Sequence, residues 1–272
     1  MLNKLKYFSV FGNPIKHTLS PKIHSLFSKQ TKIPCVYTAV KISLNEFDKK
    51  INFFFNTIGD GANITLPFKE QAYHISDVLT NRAKLSKSVN TLKKMEDGKI
   101  LGDNTDGIGL LYDLNRLNFL QNSNKILLIG AGGAAKGILP SISLKENKIF
   151  IFNRTYLRAK KLEKEFSYLG DIKAITFEDL LNIKIDLIIH ATSSYIKGEK
   201  LILPSSLIHK NIYCYDISYV KNNRFTPFLN WSKELGAINL SDGKGMLISQ
   251  AAYSFLLWND VLPDIDSTLL KI

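Results

Sequence analysis

Short apolar runs alternate with segments of helical hydrophobic period along most of the chain. Near the N-terminus, strand-like runs span residues 7–11, 35–42 and 61–66, and a helical pattern is predicted after each one. Ile23, Leu26 and Phe27 form the apolar stripe of the first helix. Because strands and helices alternate, we predict an α/β domain here.

The middle of the chain changes pattern before a second series of strands begins. Residues 89–93 and 99–101 flank a Glu-Asp-Gly turn and predict a β-hairpin. The loop 102–109 then leads into a helix with apolar residues at helical spacing. Since that helix runs into another buried-strand pattern, we expect the boundary between two domains in this region.

A glycine motif follows the apolar strand at 125–129. Gly130, Gly132 and Ala135 satisfy G-x-G-x-x-G/A, and a helix and a second apolar strand at 148–152 follow. Such a unit of about 30 residues is typical of dinucleotide binding, with the pyrophosphate at the start of the helix. The alternative is a glycine-rich turn that binds no ligand.

The end of the second strand indicates which dinucleotide is bound. NAD-binding proteins usually carry an acid there, which bonds the ribose 2′-hydroxyl. This chain has Asn153, Arg154 and Thr155, followed by Arg158. Because guanidinium groups match phosphate geometry, we predict NADP(H) rather than NAD(H). The alternative is that both arginines belong to a solvated helix start.

Polar residues gather where several predicted strands end. Thr18 and Ser20 follow the first strand, and Ser20 before Pro21 has the form of a helix N-cap. Thr65 and Lys69 follow the third strand, at the edge where open α/β sheets bind ligands. Pro67 is predicted to begin the next helix, so Lys69 lies in its first turn. A cation is disfavoured there, which favours a functional role for Lys69.

Two further polar residues each allow two interpretations of their role. Asp106 is either a helix cap or a catalytic acid, since Asp is a common N-cap residue. Gln250 lies among apolar residues of the long helix predicted over 246–258, and it faces either a site or solvent. Further buried strands are predicted over 185–189 and 211–216, and Pro227 begins another helix.

Composition narrows the function classes. The 272 residues are 45% hydrophobic and 22% charged, which is ordinary for a globular protein. The two cysteines and five histidines show no metal-ligand spacing, so no metal is expected. We expect a cytoplasmic protein with no signal peptide or membrane span. The net charge of +12 raises nucleic-acid binding as an alternative, but the lysines are dispersed and no such motif is visible.

Nine motifs occur in a fixed order along nearly the whole chain, and in them the sequence resembles the shikimate dehydrogenase family. These motifs are 11–14 (FGNP), 20–21 (SP), 61–69 (GANITLPFK), 90–91 (NT), 102–107 (GDNTDG), 130–133 (GAGG), 153–155 (NRT), 191–193 (ATS), and 243–247 (GKGML) with Gln250. Their joint order and spacing make the resemblance specific.

The resemblance implies an enzyme that reversibly reduces 3-dehydroshikimate to shikimate with NADPH, in aromatic amino-acid synthesis. It implies an α/β substrate domain over 1–106, a Rossmann NADP domain over 107–240, and helices over 241–272 that return to the first domain. Lys69 and Asp106 correspond to the catalytic pair. Substrate residues are Thr18, Ser20, Thr65, Asn90, Tyr219 and Gln250. Cofactor residues are Gly130, Ala131, Gly132, Gly133, Ala134, Asn153, Arg154, Thr155, Arg158, Thr192, Ser193, Ile217 and Gly243.

The chain departs from the family pattern at two positions. Thr18 stands where the family usually has serine, which adds a methyl group, and Tyr195 stands where it often has glycine. Two alternatives remain: a quinate/shikimate dehydrogenase with relaxed cofactor use, and an NADP-binding protein without catalysis. We expect a small-molecule substrate, no nucleic-acid or membrane partner, and a monomer or homodimer.

Overall fold

A computed structural model describes residues 5–16, 18–121, 124–143, 146–192, 202–220 and 225–272. The chain divides into two compact units. The first unit comprises Met1–Gly109 and Leu247–Ile272, and the second comprises Leu110–Met246. The first unit is therefore assembled from both ends of the sequence. The helices α5 (Asp106–Arg116) and α10 (Lys244–Asn259) each begin in one unit and end in the other.

The first unit contains a six-stranded mixed sheet with the order β2-β1-β3-β5-β6-β4. Its strands are β1 Lys6–Gly12, β2 Cys35–Lys41, β3 Gly61–Ile64, β4 Val78–Leu79, β5 Thr91–Lys94 and β6 Ile100–Asp103. Its other helices are α1 Ser20–Thr31, α2 Phe47–Thr57, α3 Lys69–Ile75, α4 Asn81–Ser86 and α11 Ile265–Leu269. The strands β1, β2 and β3 run parallel, whereas β5 pairs antiparallel with both β3 and β6. The predicted hairpin is thus confirmed as β5–β6.

The second unit contains a six-stranded sheet whose described pairings are all parallel. Its strands are β7 Lys125–Ile129, β8 Lys148–Phe152, β9 Asp171–Ala174, β10 Leu187–His190, β11 Tyr213–Asp216 and β12 Asn239–Ser241. Its other helices are α6 Gly133–Ile142, α7 Tyr156–Phe166, α8 Phe177–Leu180 and α9 Pro227–Glu234. The order β12-β11-β10-β7-β8-β9 is that of a Rossmann fold.

The strand β7 is buried on both faces. Ile126 and Leu128 pack into one hydrophobic cluster, and Leu127 and Ile129 pack into another. A short run of consecutive apolar residues is therefore explained by helices on both sides of a parallel sheet, as predicted. The α/β fold class, with a Rossmann unit, is confirmed.

Two local predictions were wrong. Ser20 is not the N-cap of α1, because it is already the first helical residue and the cap position is Leu19, which makes no side-chain capping bond. The Ser20 N–H instead donates to Oγ1 of Thr18 at 3.2 Å. Pro67 does not begin α3, because the chain first makes a turn in which the Phe68 N–H donates to the Thr65 carbonyl at 3.0 Å.

Several elements were not predicted, and all of them are short. α4, β4, β9, β12 and α11 span two to six residues each. Such segments are too short for hydrophobic periodicity to identify. Within the described ranges, no helix is both long and apolar enough to span a bilayer.

Candidate active site

A lysine–aspartate pair lies at the starts of two helices in the first unit. Lys69 begins α3 and Asp106 begins α5, and Lys69 Nζ lies 2.5 Å from Asp106 Oδ2. Their side chains are 14% and 5% exposed, so the pair is largely but not completely shielded from water. The carboxylate compensates for the unfavourable position of a cation in a first helical turn. A partly shielded ammonium of this kind can exchange a proton with a bound molecule.

Asn90 joins this pair to the C-terminal segment of the first unit. Its Nδ2 donates to Asp106 Oδ1 at 2.9 Å and lies 3.1 Å from Gln250 Oε1. Its Oδ1 accepts from the Thr105 N–H at 2.8 Å and from the Thr91 hydroxyl at 2.9 Å. Because donors and acceptors surround it on opposite sides, the amide has one orientation only. Lys69, Asp106, Asn90 and Gln250, all predicted from the sequence, are thus brought together.

The segment before Asp106 holds its backbone in place. The Asp106 N–H donates to Oδ1 of Asn104 at 3.0 Å, and Nδ2 of Asn104 donates to the Ser88 carbonyl at 2.8 Å. Asp103 is fully buried and forms an ion pair with Arg82. Sequence reasoning did not single out Asn104 or Asp103, although both lie inside the quoted 102–107 motif.

A chain of hydroxyl groups connects Thr18 to the same region. Thr18 Oγ1 donates to Ser20 Oγ at 3.0 Å, and the Ser20 side chain lies near the phenol of Tyr37. The Tyr37 hydroxyl donates to Asn63 Oδ1 at 2.8 Å. Asn63 Nδ2 donates in turn to the Asn90 carbonyl at 3.2 Å. Thr18 and Ser20 therefore belong to one polar network with Asn90.

Further hydroxyls extend this network, and sequence reasoning missed them. Ser254 Oγ lies 2.9 Å from Asn63 Nδ2, 2.8 Å from Thr91 Oγ1 and 3.2 Å from Thr105 Oγ1. Asn63 and Thr91 lie opposite each other on β3 and β5, which explains their contact. Ser254 lies one helical turn after Gln250, and that spacing was the signal that could have identified it.

A buried histidine packs beneath the hydroxyl chain. The His24 ring stacks on Tyr37 with centroids 4.1 Å apart, and neither of its ring nitrogens has a hydrogen-bond partner among the described residues. Burial lowers the pKa of His24 from 6.5 to about 3, because the charged form loses its hydration. The ring is therefore neutral wherever the protein is folded near neutral pH.

The glycine turn of the second unit fits an anionic group. Gly130 has φ of 120°, and a Cβ built there would lie 2.7 Å from the Ala191 carbonyl oxygen. At Gly132 a Cβ would meet no described atom within 4 Å, so the space beside the backbone is open. α6 begins at Gly133 with Gly132 as its N-cap, and the positive end of the helix dipole faces this space. Ala131 and Ala134 flank this turn.

The tip of β8 carries the predicted adenosine-side residues. Asn153 Nδ2 donates to the Thr155 carbonyl at 2.9 Å, and the Arg158 N–H donates to the same carbonyl at 3.0 Å. Arg154 and Arg158 are exposed. The tip is therefore folded back on itself, and it carries two exposed arginines at this end of the sheet.

The remaining predicted cofactor residues follow neighbouring strands. Thr192 follows β10, and its Cγ2 would lie 3.2 Å from a Cβ on Gly130. Gly243 follows β12, and its N–H donates to the Ser218 carbonyl at 3.0 Å, while a Cβ there would clash with the Ile217 carbonyl. Tyr219 lies in the second unit, shortly after Ile217. Ser193 and Tyr195 lie outside the described residues.

The second unit is thus a Rossmann-type dinucleotide-binding fold, and the first is an α/β unit with a shielded Lys–Asp pair. Residues 10–92 match the family model described as the shikimate dehydrogenase substrate binding domain. Residues 114–218 match the model described as shikimate/quinate 5-dehydrogenase.

Solved structures of high similarity cover almost the entire chain. An Ael1 enzyme from Pseudomonas putida is 36% identical, with 98% of this chain and 97% of that chain covered and a TM-score of 0.86. Shikimate dehydrogenase from Aquifex aeolicus is 31% identical, with 100% and 98% covered and a TM-score of 0.88. Shikimate 5-dehydrogenase from Thermus thermophilus, in complex with NADP(H) and shikimate, is 28% identical, with 97% of each chain covered and a TM-score of 0.85. The chain belongs to the shikimate dehydrogenase family.

Proposed function

We propose that this protein catalyses the NADP-dependent, reversible reduction of 3-dehydroshikimate to shikimate. The single observation that carries the proposal is the contact of Lys69 with Asp106, together with the Asn90 amide that joins Asp106 to Gln250. A protein that only bound NADP would not need this arrangement. Family membership and the relative crystallised with NADP(H) and shikimate support the same reaction.

The proposed chemistry couples a hydride transfer to a proton transfer at one carbon–oxygen bond. NADP(H), when bound, supplies or accepts the hydride. In the oxidation direction, the substrate hydroxyl gives its proton to the Lys69 amine as its carbon loses the hydride. In reduction, the Lys69 ammonium returns that proton to the carbonyl oxygen. Asp106 orients the amine and stabilises the ammonium, and only one of the three ammonium N–H donors is needed for that contact.

The polar network around Asn90 suits a polyhydroxylated acid. We propose that Thr18 and Ser20 bind the substrate carboxylate, because adjacent hydroxyls at the start of α1 can donate to it. Thr65, Asn90 and Gln250 would bind the ring hydroxyls. Tyr219 is proposed as a further substrate residue on the strength of the family resemblance alone.

The glycine turn and the tip of β8 suit the two ends of NADP(H). The pyrophosphate would lie against the backbone of Gly130, Gly132 and Gly133, where no side chain intervenes. Arg154 and Arg158 would bind the 2′-phosphate, with Asn153 and Thr155 beside it. Thr192, Ile217 and Gly243 would contact the remainder of the cofactor.

The test is turnover of purified protein with shikimate and NADP+, followed by NADPH absorbance. Parallel assays use quinate in place of shikimate and NAD+ in place of NADP+. Turnover with shikimate and NADP+ alone is the expected result. Equal turnover with quinate or NAD+ would favour the quinate/shikimate alternative. Absence of turnover in every pairing, from protein with a folded circular-dichroism spectrum, would overturn the proposal.

We further propose that the enzyme acts in aromatic amino-acid biosynthesis in the cytoplasm, as a monomer or homodimer. The proposed functional domains span 1–106, 107–240 and 241–272. Sedimentation equilibrium of the purified chain distinguishes the two oligomeric states, and a larger mass would contradict both.

A further inference from the structure

A buried histidine–aspartate contact lies at the ligand-binding edge of the second unit. His190 ends β10 and Asp216 ends β11, and the two residues are register partners. Their side chains are 2% and 1% exposed, and His190 Nδ1 lies 3.1 Å from Asp216 Oδ2. The other ring nitrogen, Nε2, lies 2.7 Å from the hydroxyl of Thr192. His190 therefore connects a buried acid to a proposed cofactor residue.

The surroundings of Asp216 determine where the His190 proton lies. Asp216 Oδ2 accepts from the Thr226 hydroxyl at 2.6 Å, and Oδ1 accepts from the Ser218 N–H at 2.9 Å. In both bonds an Asp216 oxygen is the acceptor, so Oδ2 presents acceptor lone pairs on the side that faces Nδ1. The Nδ1–Oδ2 contact does not have hydrogen-bond geometry, so Asp216 acts on the ring through the electrostatics of a close approach. A proton on Nδ1 is still favoured, because a lone pair there would face the carboxylate.

This tautomer determines whether the Thr192 hydroxyl donates or accepts in its hydrogen bond with His190. With the proton on Nδ1, the neutral Nε2 is an acceptor, so Thr192 must donate its hydroxyl hydrogen to it. The lone pairs of Thr192 Oγ1 then act as acceptors for other groups. The Thr192 methyl lies against the glycine turn at Gly130, next to the proposed pyrophosphate site. In the opposite tautomer, Nε2–H would donate to Thr192 Oγ1. The Thr192 hydroxyl hydrogen would then be directed to another group, and Thr192 would be a donor toward the dinucleotide.

We propose that His190, held by Asp216, is a positioning residue that makes Thr192 a hydrogen-bond acceptor for an N–H or O–H group of the dinucleotide. This inference rests on the proposed function, because it assumes that NADP(H) binds the second unit. The matching donors on such a cofactor are the carboxamide N–H groups and the ribose hydroxyls. His190 itself needs no contact with the cofactor.

A double-mutant cycle tests the coupling, with NADP+ affinity measured by isothermal titration calorimetry. Thr192→Val removes the hydroxyl and keeps the shape, and His190→Phe keeps a ring without nitrogen. Each is expected to raise Kd about threefold to tenfold, the effect of one hydrogen bond. The double variant should bind no more weakly than Thr192→Val alone, because His190 acts through Thr192. Additive effects, or an unchanged Kd in His190→Phe, would overturn the proposal.

NMR of the imidazole nitrogens measures the tautomer of His190 directly. A purely structural role of His190 would not predict a change of tautomer in the Asp216 variant. In protein labelled with ¹⁵N-histidine, His190 is assigned by its loss in His190→Gln. The Nδ1–H tautomer is expected in the parent protein and the Nε2–H tautomer in Asp216→Asn, whose amide can donate to Nδ1. Asp216→Asn should also raise the Kd for NADP+ by a similar factor. An Nε2–H tautomer in the parent protein would contradict the proposal.

Two controls separate this inference from the proposed function. His209→Phe alters an exposed histidine of the same unit, and it should leave the Kd for NADP+ unchanged. Circular dichroism checks that His190→Phe folds, and His190→Gln repeats the affinity measurement if it does not. If the parent chain binds no NADP+, the proposed function fails. If it binds and the His190 and Asp216 variants bind equally well, only the positioning role fails.

Discussion

The site of the first unit and the glycine turn of the second present their ligand-binding groups in different ways. Around Asn90, side chains from several helices and strands are joined to one another by hydrogen bonds. At Gly130–Gly133, the backbone and an open space beside Gly132 form the proposed binding surface. Charge is placed differently too, because Lys69 is largely shielded whereas Arg154 is exposed.

This difference shows what each part of the molecule can do. A proton transfer requires a few side chains at fixed positions, and partial shielding from water strengthens their interactions. An anion requires only backbone N–H groups, a helix dipole and a guanidinium group. Substitutions in the first unit should therefore affect the reaction rate, and substitutions at the tip of β8 should affect cofactor affinity.

Lys69→Ala gives the largest expected effect. The loss of a positioned proton donor should lower kcat by roughly 10²–10⁴-fold. NADP+ affinity should stay the same, because the glycine turn is in the other unit. Steady-state kinetics with shikimate and titration calorimetry with NADP+ measure the two quantities.

The matched control for this prediction is Lys49→Ala, which removes an exposed lysine of the same unit. It should leave both quantities unchanged. A Lys69→Ala enzyme with normal kcat would remove Lys69 from the chemistry. A large rise in its Kd for NADP+ would contradict the expectation that the first unit affects the reaction rate and the second unit affects cofactor affinity.

His24→Phe tests how much stability the first unit loses at acidic pH because it buries a histidine ring beside its proposed site. Because the pKa of His24 falls from 6.5 to about 3 on folding, the unfolded chain binds a proton that the folded protein does not. The free energy of unfolding therefore decreases as pH falls below 6.5, by up to about 1.4 kcal/mol per pH unit from this group. The variant should lose that contribution.

Urea unfolding of the parent and His24→Phe at several pH values between about 7 and about 5 measures this effect. Carboxyl groups titrate in both proteins, so the difference between the two curves isolates His24. We expect the difference to change steadily toward acid in favour of the variant. Parallel curves would show that the folded protein protonates the ring without cost.

Arg154→Ala should weaken NADP+ binding by roughly 10–100-fold, the effect of losing a charged hydrogen bond. The Kd for NAD+, which lacks the 2′-phosphate, should be unchanged. Lys161→Ala, which removes an exposed charge from α7, the helix that follows Arg154, serves as the control. An equal loss for both dinucleotides would assign Arg154 to a general electrostatic role.

Thr18→Ser should give the smallest effect, a change in KM for shikimate of no more than about threefold, because the hydroxyl is kept and only a methyl group is lost. The value of kcat should not change. Thr18→Val, which removes the hydroxyl and keeps the shape, should raise KM more. If Thr18→Val had a normal KM, Thr18 would not bind the substrate carboxylate.

The sequence predicted the parts of the molecule whose information is local. The glycine motif and its two flanking strands lie within 125–152, and the structure contains them at nearly the predicted positions. Lys69 was also visible locally, as a cation at an unfavourable helix position. The pairing of Asn90 with Gln250 joins residues 160 positions apart and was not predicted, although the family resemblance implied that both residues bind the substrate.

The residues that sequence reasoning missed are buried polar groups with distant partners. Tyr37 and the His190–Asp216 contact have no recognisable spacing, because their partners come from other strands and helices. Ser254 is different, because its spacing from Gln250 on α10 is a local signal. Ser20 was assigned a capping role because hydroxyl residues before proline usually cap helices. Its hydroxyl instead accepts from Thr18 and lies near the Tyr37 phenol, a neighbour that the packing of α1 against β2 supplies.

The fixed amide of Asn90 has a consequence for substrate recognition. A free asparagine side chain would lose rotational entropy on binding, at a cost of about 0.5–1.5 kcal/mol. Here Thr91 and Thr105 already hold the amide, so its rotational entropy is lost during folding and not on binding. The site is preorganised, and it cannot rotate its amide to accommodate a wrong ligand. An analogue that lacks the hydroxyl proposed to bind Asn90 should therefore be rejected more strongly than by an adaptable pocket.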